Sequence, residues 1–464
     1  MNYVFYDFET TGINVRYDQF HQLGAILTNE NFEEIDRFEI RCRISDHIVP
    51  APRALEVTRV SPSMLIDPSI DSFYQATLKL HNKFSDWGPA TFVGYNSFSF
   101  DEEIMRQSFY QNLLPPYLTN TNGNKRADAL TLVKAVRSLN PNAMAFPLND
   151  KGNPVLKLDQ LAPINGFDHS NAHDAISDVE ATIFILKLIK ERDPALFSKI
   201  MVLGDKKHVQ RVVEQNKILA LTQYYNGKVT HKFVTPLTNN PINPQEVVLF
   251  DLGFDPKDFQ AQTVNEITKT YKKPKRPYQK IKLNKQPLVF ALEDLPGGFL
   301  LPEIEPKLLN QRKVSLEKML SLKQNNVSAL ENIQKEYEGA IELEDQIYDG
   351  FFPPEDVSLM KNFHIGSLDK KLSIINNFKD RRSKGLANRI IFAEHPELLS
   401  QQTRVVGEEW RNKRLTDNSG AWRTVEQSIS ELDYIDSSTE LGQEIKNYLT
   451  KFLIDKPKNT LLDT

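Results

Sequence analysis

The 464-residue chain predicts an α/β domain at its N-terminal end, a mixed sheet with helices on its faces. A small β-rich region and a mostly helical remainder follow. Three observations carry this. Three adjacent strand-like runs open the chain and give way to alternating helical and strand-like stretches, the pattern of a helix-covered mixed sheet. From about residue 195, apolar runs are broken by "NG" and "NNP" turns, as in a small β-rich fold. From about 305 onward helical spacing dominates, with acids and bases mixed.

In order, "YVFYDF" (3–8), "HQLGAILT" (21–28) and "EEIDRFEIRC" (33–42) read as strands. "SIDSFYQATLKLHNKFSDW" (69–87) has helical spacing, with Phe73, Leu78, Leu80 and Phe84 as candidate buried positions. "ATFVGYN" (90–96) is a short apolar strand leading into the helical "FDEEIMRQSFYQNLL" (100–114). Asp128 stands where an N-cap belongs, ahead of "ALTLVKAVRSL" (129–139). A Pro- and Asn-rich loop (140–154) precedes a helix from about 172 to 192 that "RDP" ends. The strand-like stretches of the second region lie in 217–252, and 269–286 carries eight basic side chains, two tyrosines and no acid.

The length predicts two or three domains. A formal net charge of -4 argues against a wholly basic nucleic-acid binder but leaves local patches open. The single cysteine, Cys42, excludes an intramolecular disulfide and fits a reducing cytosol. "MNYVFYDFET" has no basic n-region, so it is not read as a signal peptide, and no apolar run approaches the ~20 residues of a membrane span. A cytoplasmic protein with no membrane association is expected.

"YDFETTG" (6–12) places Asp7 and Glu9 two apart on a strand, where side chains share a face. A lone D-x-E is more often an ordinary exposed edge. Here Tyr3, Phe5 and Phe8 mark the strand as buried, and buried carboxylates repel unless one protonates or a cation lies between them. All-oxygen ligands suit Mg²⁺ or Mn²⁺. "GYNSFSFDEE" (94–103) adds Asp101 at a helix start, and "SNAHDAISDVEAT" (170–182) adds His173 and Asp178. Each alone reads as helix-terminus chemistry. Together, in this order, they are harder to dismiss.

Asp7-x-Glu9-Thr10, the Asn96…Phe100-Asp101 element, and His173 with Asp178 five positions on resemble the motifs of the DEDD 3′→5′ exonucleases, histidine subtype. "GYNSFSFDEEIMRQSFYQN", "RADALTLVKAVRSLNP", "SNAHDAISDVEAT" and "IYDGFF" (347–352) further resemble the bacterial exodeoxyribonuclease I family, over essentially the whole chain. The resemblance implies an RNase H-like exonuclease domain (1–192), an SH3-like β-rich domain with attached helices (195–345) and a C-terminal helical domain (350–464). It implies hydrolysis of single-stranded DNA to nucleoside 5′-monophosphates with two Mg²⁺ ions, in DNA repair and recombination. Asp7 would bridge both ions, Glu9 and Asp178 would complete the site on the nucleophile side, and Asp101 would hold the second ion. His173 would be the general base, a role suited to imidazole. Positions 173 and 178 lie ~500° apart around a regular helix, which would not align them, and the resemblance implies a histidine on the loop or first turn before the helix. Asp174 is left outside the site as local helix chemistry.

Candidate nucleic-acid contacts are Thr10, Thr11, Asn96, Phe98 and Lys157, each with an ordinary alternative as strand end, turn, core or solvated lysine. Lys272, Lys273, Lys275 and Arg276 of the basic run could line a groove, with Tyr271 and Tyr278 favouring that reading slightly over a solvated loop. The family resemblance also implies binding of the C-terminal tail of single-stranded DNA-binding protein, by a monomer. Two other readings stay open: an RNA-trimming exoribonuclease of the same superfamily, and a catalytically silent single-strand-binding scaffold.

Overall fold

The computed structural model describes residues 1–169, 172–225, 227–296, 302–335 and 341–452. Ser170 and Asn171 of the histidine segment, and the ends of the expected domains at 336–340 and 453–464, lie outside the described residues. The chain divides into two compact units: Met1–Asn124 with Ser170–Glu180 and Ala340–Thr464, and Lys125–His169 with Ala181–Gly339.

In the first unit the sheet runs β3-β2-β1-β4, formed by β1 (Tyr3–Thr10), β2 (Phe20–Thr28), β3 (Glu34–Arg41) and β4 (Thr91–Gly94). β1 pairs antiparallel with β2 and parallel with β4, so the sheet is mixed. Val4, Tyr6 and Phe8 alternate onto one face of β1 and meet Leu80, Phe84 and Phe92 in the core. Helix Phe73–Trp87 covers that face, opened by a capping box in which Ser72 and Gln75 satisfy each other's backbone donors. Two short helices, Pro52–Thr58 and Pro62–Leu65, each begin with proline at the first turn.

Residues from 341 onward pack into this same unit. Ile347, Met360, Phe363 and Ile390 bury against Tyr74, Tyr110 and Leu113, while Leu415, Val425 and Ile445 bury against Ile48, Leu55 and Leu65. The buried Glu344 carboxylate accepts from Arg414, equally buried, and pairs with Arg389 at 2.9 Å. The Arg414 guanidinium lies 4.6 Å from the Tyr17 ring and 4.3 Å from that of Trp422. Glu344→Ala strands Arg414 as an uncompensated buried charge, and the expected loss is about 3–5 kcal/mol, read as a lower urea midpoint.

In the second unit β5 (Lys125–Asp128) leads directly into helix Ala129–Leu139, which the Asp128 side chain caps by accepting from the Leu130 N–H. β6 (Leu219–Tyr225), β7 (Lys228–Asn239), β8 (Glu246–Asp251), β9 (Tyr278–Lys282) and β10 (Val289–Ala291) form an antiparallel sheet of order β10-β6-β7-β8-β9. Its apolar face packs on helices Val264–Tyr271, Pro306–Glu317 and Leu320–Lys335. Among the described residues no helix is long and apolar enough to cross a membrane.

Candidate active site

Alternation along β1 puts Asp7 and Glu9 on the face opposite Val4, Tyr6 and Phe8. Across the β1–β2 ladder Asp7 faces Gly24 and Glu9 faces Gln22. The glycine is a requirement of close approach: a Cβ there would lie 2.6 Å from the carbonyl carbon of Ala175 and the nitrogen of Ile176. Helix Ala175–Arg192 therefore starts directly on the strand beside Asp7, which sets Asp178 over the carboxylates. Gly24→Ala must lift that first turn, and a loss of about 1–3 kcal/mol in stability is expected, with lowered activity. Denaturant titration and a nuclease assay check both.

His173 stands two residues before the helix, with φ at +68°. Its backbone N–H donates to Asp178 Oδ1 at 3.4 Å. Ligand atoms of Glu9, His173 and Asp178 lie within 4.8 Å of one another. The fourth carboxylate arrives on β4: its chain turns at Asn96, where φ is +60°, and helix Asp101–Gln111 begins with Asp101. Asp101 is 4 % exposed, and its Oδ1 accepts from the Phe8 backbone N–H at 3.2 Å, which ties it to β1 between Asp7 and Glu9.

Neighbouring Glu102, also buried, shows the usual solution for a carboxylate inside a protein. It is paired with Arg106 at 2.8 Å and accepts from Thr119 and Tyr6. Asp7 and Glu9 instead face further carboxylates. Burial, then Asp101, Asp178, Glu9 and Asp174 in turn, hold Asp7 well above the usual carboxylate range. Burial, then Asp178, Asp101 and Asp174, push Glu9 up to about 9, against a smaller opposing pull from Arg41. An oxygen-rich, mutually repelling donor set of this kind fits hard divalent cations.

With its folded-state value raised, Glu9 contributes stability that is present below its ordinary 4.5 and lost as pH rises toward 9, and Asp7 adds in the same direction. The metal-free protein should therefore melt at falling temperature from about pH 5 to pH 9. Mg²⁺ or Mn²⁺ should reverse that fall and release protons on binding, both measurable by calorimetry.

Residues 4–186 match the family model described as "Exonuclease", and 341–454 match the "Exonuclease I C-terminal domain". The chain is homologous to bacterial exodeoxyribonucleases I along nearly its whole length. It is 27 % identical to exodeoxyribonuclease I of Haemophilus influenzae across 97 % of this chain and 99 % of that one. The fold matches that of Escherichia coli exonuclease I solved with a dA16 oligonucleotide, at TM-score 0.85 and 24 % identity over 98 % of this chain and 99 % of that one. A zinc-bound form of the E. coli enzyme with single-stranded DNA matches at TM-score 0.84 and 23 % identity, over the same shares.

Thr10 is buried and donates to Gly12 O at 2.7 Å, and Thr11 is fully buried with its hydroxyl donating to Asp18 at 2.8 Å. Phe98 is buried and Phe100 packs against the core. Lys157 is exposed just before helix Leu158–Ile164. Lys272, Lys273 and Lys275 are exposed, while the half-buried Arg276 donates to the carbonyls of Tyr271 and Lys273. The expectation attached to Tyr271 and Tyr278 is corrected. Both rings are buried, and their hydroxyls donate to Asn326 and Gln262, so they are core residues of the second unit and offer no stacking face. Sequence reasoning missed Gln22 and Arg41, which reach the histidine segment from β2 and β3; spacing within one strand carries no signal for that contact.

Proposed function

We propose that the chain is a 3′→5′ exonuclease that hydrolyses single-stranded DNA to nucleoside 5′-monophosphates. The observation that carries this reading is the convergence of Asp7, Glu9, Asp101 and Asp178 with His173 from three separate parts of the chain. The four carboxylates would hold two Mg²⁺ ions, with Mn²⁺ as a substitute. Bound there, the ions supply charge neutralisation at the scissile phosphate and a more acidic water. His173 takes the proton of the attacking water at a ring nitrogen. The bond from phosphorus to the 3′-oxygen of the penultimate nucleotide breaks, leaving a new 3′-hydroxyl and a free 5′-monophosphate.

The reading keeps the division into 1–192, 195–345 and 350–464. It keeps Thr10, Asn96, Lys157 and the basic residues 272–276 as strand contacts. The tail of single-stranded DNA-binding protein remains the proposed protein partner of a cytoplasmic monomer acting in DNA repair. The test compares matched single-stranded DNA and RNA in Mg²⁺, with and without chelator. Loss of DNA from the 3′ end, abolished by chelation, is expected; preferential loss of RNA would support the exoribonuclease reading instead.

A further inference from the structure

We infer that Asp174, through Gln22 and Arg41, is the positioning residue that holds His173 in its working conformation. The inference rests on the reading of His173 as the base and adds the device that places it. A φ of +68° is disfavoured for any side chain with a Cβ, and histidine gains no glycine-like relief there. Such a conformation persists where neighbouring contacts over-determine it. The residue after His173 is tied to the sheet.

Asp174 Oδ2 accepts from Gln22 Nε2 at 2.9 Å and from Arg41 Nη2 at 3.1 Å. Its Oδ1 accepts from the Ser177 N–H at 3.4 Å, and the Asp174 carbonyl accepts from the Asp178 N–H at 3.0 Å. One side chain thus joins β2, β3 and the first turn of helix Ala175–Arg192. Gln22 stands opposite Glu9 in the ladder, so the strand that carries a site carboxylate also fixes the histidine segment. Glu39 braces the donors from outside, accepting from Gln22 at 3.0 Å and pairing with Arg41 at 3.4 Å. Asp174 lies outside the Glu9–His173–Asp178 group of mutually close ligand atoms, and its oxygens are engaged by these donors.

The test uses the full-length chain in Mg²⁺ on single-stranded DNA. Asp174→Ala should lower kcat by about 10- to 100-fold, as a small misplacement of a base does, with KM and the Mg²⁺ concentration for half-maximal rate unchanged. Asp174→Asn removes the charge but keeps an oxygen for Gln22 and Arg41, and it should stay near wild type. Arg41→Ala, at a partly exposed position, should lower kcat in the same way, and Asp174→Ala with Arg41→Ala should be no worse than Asp174→Ala alone. If Asp174→Ala fails to fold, Arg41→Ala and Gln22→Ala decide alone. Wild-type kcat in Asp174→Ala, or in both partner variants, overturns the clamp. A loss in Asp174→Asn as deep as in Asp174→Ala also overturns it, assigning the effect to charge. Full activity in His173→Ala overturns the underlying assignment of the base, and the clamp with it.

Discussion

Asp7→Ala is expected to abolish nuclease activity, lowering the rate by on the order of 10³-fold or more, while leaving the metal-free protein as stable as wild type or more so. The two halves of this prediction come from one arrangement. Asp7 is surrounded by Asp101, Asp178, Glu9 and Asp174, each of which disfavours its ionised form, on top of its burial. Removing the carboxylate relieves that repulsion, so folding does not suffer in the absence of cations. The stabilisation that wild type gains from Mg²⁺ should shrink in the variant, because one of the four proposed ligands has gone. A structural acid behaves the other way. Glu344→Ala removes a partner from Arg414 and should weaken the protein in any buffer. Melting curves with and without Mg²⁺, set beside rates on labelled single-stranded DNA, separate the two behaviours.

His173→Ala should lower kcat by about 10²- to 10⁴-fold, the usual contribution of a positioned general base. The variant differs from Asp7→Ala in what survives. All four carboxylates remain, so divalent cations should stabilise it against heat as they do wild type, and the bound state should still form on single-stranded DNA. The His173 backbone N–H bond to Asp178 is also retained, since alanine keeps the donor. Loss of metal stabilisation in His173→Ala would mean that the imidazole is a ligand, as its position near Glu9 and Asp178 also permits. Isothermal titration with Mn²⁺ and single-turnover rates on DNA distinguish a base from a ligand.

Much of the site was legible because its chemistry is written in local patterns. The two-residue spacing in "YDFETTG" needs only strand alternation to place Asp7 and Glu9 on one face. Asp101 at the head of a helix follows from cap and period arguments, whereas the period alone starts the next helix near 172 and only the family resemblance puts His173 ahead of it. The strands and helices around them were found within a few residues because their apolar faces are strongly periodic.

Other features depend on which elements meet, and periodicity within one element is silent about that. Gly24 reads as an ordinary residue of a strand until the start of helix Ala175–Arg192 is seen lying on it. Asp174 reads as a helix-start acid until Gln22 and Arg41 reach it from two strands. Tyr271 and Tyr278 sit in a basic run that looks solvated as text. The lysines do point to solvent, but alternation on β9 and the period of helix Val264–Tyr271 turn both rings inward. The two short helices at 52–65 were missed because each is a turn or two long and packs through only a few side chains.

Asp7, Glu9, Asp101 and Asp178 are proposed to hold cations beside His173 and to receive the 3′ end of a single strand. A crystal structure with a short single-stranded oligonucleotide and Mn²⁺ or Ca²⁺ decides this. Cations are expected about 2.0–2.6 Å from oxygens of Asp7, Glu9 and Asp178. The last phosphodiester of the strand should lie against those cations, with the His173 ring facing the water side. Cations bound elsewhere, or a strand entering by its 5′ end, would contradict it.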